Sequence, residues 1–238
     1  DDVLEVLRLV FNEGYRAHRG EDLVRLELVH EAVHLGRLLA EHPATTGPSV
    51  HAFLALVHLL GARLPARVDG NGDVLTLAQQ DRSRWDRAWL ATGFAHLRLS
   101  FGGDTLTALH VEAAIASVHA AAPDAASTDW HAIRREYERL LVLRDDPVVR
   151  LNHAVAVAKT DGPAAGLAAL DELGADGPLA TYALRLATRA QLCSLLGRRE
   201  EAEQALVGAL ALPCSDPERR LLERRLDDVR RGAPAPTW

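Results

Sequence analysis

Residues 30–34 read His30-Glu31-Ala32-Val33-His34, the spacing of a zincin helix. In that pattern two histidines one turn apart bind zinc and the glutamate between them acts as general base. The chemistry requires all three side chains to face the interior of the enzyme. Projected at about 100° per residue, Val24, Leu28, Ala32, Leu35 and Leu39 form one stripe, flanked by Val29, Val33 and Gly36. His30 and His34 fall on the far side with Glu27, Arg37 and Glu41, toward solvent. The longer form of the motif needs glycine where Arg37 stands, and its methionine turn cannot exist in a chain with no Met. His51 and His58 lack a ligand-like spacing. The pair is read as a weak, adventitious surface site for Zn²⁺ or Ni²⁺, with no metal ligand assigned.

Two other stretches carry dense polar chemistry. Asp69-Gly70-Asn71-Gly72-Asp73 imitates the start of an EF-hand loop, but Val74 stands where glycine is required and Gln80 where the closing glutamate is required. A glycine-rich turn is the expectation. "QQDRSRWDRAWL", residues 79–90, sets Asp81, Arg82, Arg84 and Trp85 close together. Arginines there can grip a carboxylate or phosphate and the indole offers a stacking face. The competing expectation is a helix start held by Asp–Arg pairs, with Trp85 and Trp89 turned inward. Asp81, Arg82, Arg84 and Trp85, with Asn152 and Arg189 further along, are the candidates for partner contact. His110, His119, His131 and His153 make no triad-like spacing. No glycine-rich phosphate loop or nucleophile elbow is present, so no catalytic residue, cofactor or enzymatic activity is assigned.

The elements that must position these residues are helical. Ala, Leu, Arg and Glu dominate, aromatics are 5%, and Pro and Gly sit at segment ends. Helices are expected over 3–18 and 22–41, joined by Arg19-Gly20-Glu21 with Asp22 as a cap, and then over 49–62. Residues 66–80 break the pattern, with Val74–Leu77 a short extended piece at best. Helices resume at 83–99, 107–122 and 129–143. From Asp146 two helix–turn–helix units of roughly 34 residues follow, the length of tetratricopeptide repeats. Ala190, Gly197, Ala202, Leu206, Ala209 and Pro213 fit the second unit; in the first, Gly162 fits, but Leu167 stands where alanine is expected. A last helix over 217–230 caps the stack, and the tail from Gly232 is expected to be disordered. The fold class is all-α: a helical region at 1–145 with an extended turn near 66–80, then tetratricopeptide-like α-hairpin repeats forming an α–α superhelix at 146–230, and a tail at 231–238.

A chain of 238 residues with 48% hydrophobic and 25% charged residues can bury a real core. Its net charge of −6 argues against direct nucleic-acid binding. Cys193 and Cys214 are too few for a disulfide framework, which points to the cytoplasm. The most apolar stretch, 50–60, is interrupted by His51 and His58 and is too short to span a membrane, and no signal peptide is read. With no methionine, the chain is expected to be a piece of a longer protein.

"LVFNEGY", "RVDGNGDVLTLAQQDRSRWD", "VEAAIASVHAAAPDAASTDW", "DPVVRLNHAVAVA", "DGPAAGL" and "PERRLLERRL" occur in that order over residues 9–226. Together they resemble the C-terminal, tetratricopeptide-like extension of extracytoplasmic-function RNA polymerase sigma factors. The similarity runs from about residue 3 to residue 230. The resemblance implies a regulatory, protein-interaction module in bacterial transcription initiation, with core RNA polymerase and the protein's own sigma regions as partners, and a small DGPF/YCII-like protein as a further candidate. The promoter-reading regions are not in this chain. His153 stands where such proteins are expected to have a basic residue. A stand-alone tetratricopeptide scaffold is the alternative, and a zinc hydrolase through His30, Glu31 and His34 the weaker one.

Overall fold

A computed structural model describes residues 2–16 and 23–235. Among them the chain is all-α, its only sheet-like feature an isolated antiparallel bridge between Val68 and Val74. It divides into two compact units, Asp1–Asp129 and Trp130–Trp238.

The first unit contains α1 (Asp2–Tyr15), α2 (Leu26–Glu41), α3 (Pro48–Gly61), α4 (Arg87–Ser100) and α5 (Ala108–Ala121). The expected turn at Arg19-Gly20-Glu21 and the cap at Asp22 lie outside the described residues. Helix α3 is the centre: Ala52 to Leu59 are all buried, and α2, α4 and α5 pack around it. Pro48–Ala66 has the length and apolarity of a membrane span, but 67% of its most apolar window is buried inside this unit. Burial of that surface, at roughly 25 cal/mol per Å² of apolar area, is what holds the unit together.

The inward face of α2 is rotated from the expected stripe. Val29, Ala32, Val33 and Gly36 are buried, while Leu28, Leu35 and Leu39 are half-buried at its edge. Gly36 explains the shift, because a Cβ there would lie 2.7 Å from the Phe53 ring, so α2 presses its small side against α3. The expected helix over 83–99 is also broken. Residues Arg82–Arg84 form a 3-10 turn and α4 starts only after Asp86. Asp86 accepts hydrogen bonds from the Ala88 and Trp89 amides at 2.8 and 3.0 Å, and its own amide donates to the Ala62 carbonyl at 2.8 Å. A competent N-cap inside the sequence thus divides what periodicity alone joins.

Residues 66–80 form the glycine-rich turn. The Asp69 carboxylate accepts from the Asn71 and Asp73 amides at 2.8 and 3.0 Å, which occupies it as a turn-forming group. The extended piece is shorter than expected, reduced to the Val68–Val74 bridge.

The second unit runs α6 (Trp130–Leu143), α7 (Pro147–Asp161), α8 (Pro163–Asp171), α9 (Ala183–Leu195), α10 (Arg199–Leu210) and α11 (Asp216–Arg231). Each helix packs on the next, as in a stack of hairpins. Helix α6 packs on α7, and the compact unit that holds the hairpins starts at Trp130. Asp146 caps α7 through the Val148 and Val149 amides, and Pro147 and Pro163 occupy first-turn positions where their missing N–H costs nothing. In the α9–α10 hairpin Ala190, Ala202, Leu206 and Ala209 are buried, as the small–large–small seam requires. In the α7–α8 hairpin Gly166 takes the role expected at position 167: a Cβ there would collide with Ala158 and lie 2.9 Å from the Ala154 carbonyl. Leu167 is therefore free to be a buried core residue. The start of the tail is ordered. Gly232 adopts φ 70°, and the Ala233 amide donates to the Asp228 carbonyl at 2.9 Å, closing α11 with a left-handed cap.

Candidate functional site

His30, Glu31 and His34 all lie on the exposed face of α2. The His30 ring sits 6.3 Å from that of Trp89 on α4. Among the described residues no three His, Cys, Asp or Glu side chains converge as a metal site would require.

The Asp81–Trp85 segment is built into the first unit. Arg82 reaches the end of α5, donating from Nη1 to the His119 and Ala122 carbonyls at 2.5 and 2.7 Å and from Nη2 to Thr128 Oγ1 at 3.1 Å. Those carbonyls have no helical partner, and a cation there also meets the negative end of the helix dipole. Trp85 is 3% exposed, with the Arg82 and Arg63 guanidinium carbons 4.7 and 5.6 Å from its ring centroid. Asp81 caps the 3-10 turn through the Ser83 amide at 2.9 Å, which holds its carboxyl below its usual range. Burial, aided by Arg63 and Arg82, drives His119 down to about 3. Arg82 and Trp85 thus act as a staple between the 3-10 turn and α5. Arg84 remains on the exposed surface.

In the second unit Arg189 is committed as well. It pairs with Asp171 at the end of α8 and with Glu201 on α10 at 3.5 Å, tying consecutive hairpins. Asn152 is half-buried on α7. The neighbouring His153 lies 3.8 Å from Glu138 on α6; burial, the largest influence, lowers its pKa.

Sequence spacing misses a cluster that the fold assembles. His51 and His58 of α3 meet His96 of α4, with Trp89 alongside. His51 and His96 stack at 5.2 Å, and one Nδ1 donates a hydrogen bond to the other at 3.0 Å. The His58 ring is 5.7 Å from His96 and 5.2 Å from Trp89, and its Nδ1 donates to the Leu54 carbonyl at 2.7 Å. Burial lowers all three pKa values, and the mutual repulsion of the ring charges, with Arg37, brings His96 to about 4. The cluster is neutral at pH 7 and stores a penalty for protonation. The only signal in the sequence was the seven-residue spacing of His51 and His58, which puts both on one face of α3; nothing local identifies His96.

Residues 1–101 match a protein family described as a family of unknown function (DUF6596). An uncharacterized protein of Rhizobium meliloti (strain 1021) is 38% identical over 228 residues, which is 95% of this chain and 53% of that protein. No solved structure matches the chain. The chain is thus similar, over nearly its whole length, to about half of a longer bacterial relative.

Proposed function

We propose that the chain is a regulatory, protein-interaction module of an extracytoplasmic-function-type sigma factor, acting in the cytoplasm on transcription initiation. The observation that carries the interaction half of this reading is the hairpin stack from α6 to α11. Such stacks bury a continuous core between neighbouring repeats and leave extended helix faces for a partner. The transcription half rests on the ordered motifs shared with those sigma factors. The length of the Rhizobium relative leaves room in such a protein for further domains. The partners on this reading are the protein's own sigma regions on core RNA polymerase, with a small DGPF/YCII-like protein as a further candidate.

Arg82 and Trp85 are committed to contacts within the first unit and Arg189 to contacts within the second, so the partner surface is sought on other residues. The test is to mix the purified chain with core RNA polymerase and the matching sigma regions lacking it, and to follow complex formation by size-exclusion chromatography. Co-elution supports the reading; separate elution of a folded chain contradicts its sigma-region partner.

A further inference from the structure

We draw no further inference here: the strongest candidate, the outward face of α1 where Val3, Val6 and Leu9 stand exposed opposite the buried Leu4, Leu7 and Phe11, carries none, because nothing in the structure shows what covers it.

Discussion

Replacing Arg82 with Ala removes three hydrogen bonds to α5 and Thr128 and leaves carbonyls at a half-buried helix end without their donor. Loss of about 2–4 kcal/mol of unfolding free energy is expected, read from denaturant midpoints, because charged donors to buried acceptors are costly to delete. Arg84→Ala, on the exposed surface, is expected to change stability by no more than about 0.5 kcal/mol. The histidine cluster makes a different prediction. Its folded-state pKa values are lowered from about 6.5, to about 4 for His96, so the unfolded chain binds more protons between those limits. Stability is therefore complete above about pH 6.5 and falls as pH drops toward 4. His96→Gln is expected to flatten that fall by up to about 1.4 kcal/mol per pH unit. Denaturant midpoints at several pH values check this, and an unchanged slope in the variant would contradict the assignment.

At the scale of elements, helix contacts depend on residues too small to clash. At Gly61 a Cβ would run into the Trp89 ring, and at Gly166 into Ala158. Alanine at either position is expected to cost about 1–3 kcal/mol by overpacking, measured by thermal or denaturant unfolding. Leu167→Ala, the residue the repeat pattern would suggest, is expected to cost about 2–5 kcal/mol because Leu167 is a buried core side chain. These elements show what was legible in the sequence. Helix ends at Asp146-Pro147, Ser215-Asp216-Pro217-Glu218 and Gly232 are written in local capping chemistry, and the all-α class follows from composition. The partners of Arg82 lie 37 to 46 residues away in sequence, and His96 meets His51 across 45 residues, so no local pattern announces either. The rotation of the buried face of α2 has the same origin: Gly36 and Phe53 set it, and Phe53 belongs to another helix. The break at Asp86 was written locally, but the helical periodicity on both sides masks it.

At the scale of the whole molecule the chain forms two compact units. The first centres on the buried helix α3 and carries the family-matched residues 1–101. The second is a hairpin stack, the architecture that most directly suits partner binding. On this account the second unit regulates transcription through contact with another protein segment. The most direct measurement is promoter output from the longer protein proposed to be a sigma factor, with and without residues 130–238, at matched protein levels. A changed basal or induced output is the predicted result. Identical output and identical regulation in the two forms would contradict the account.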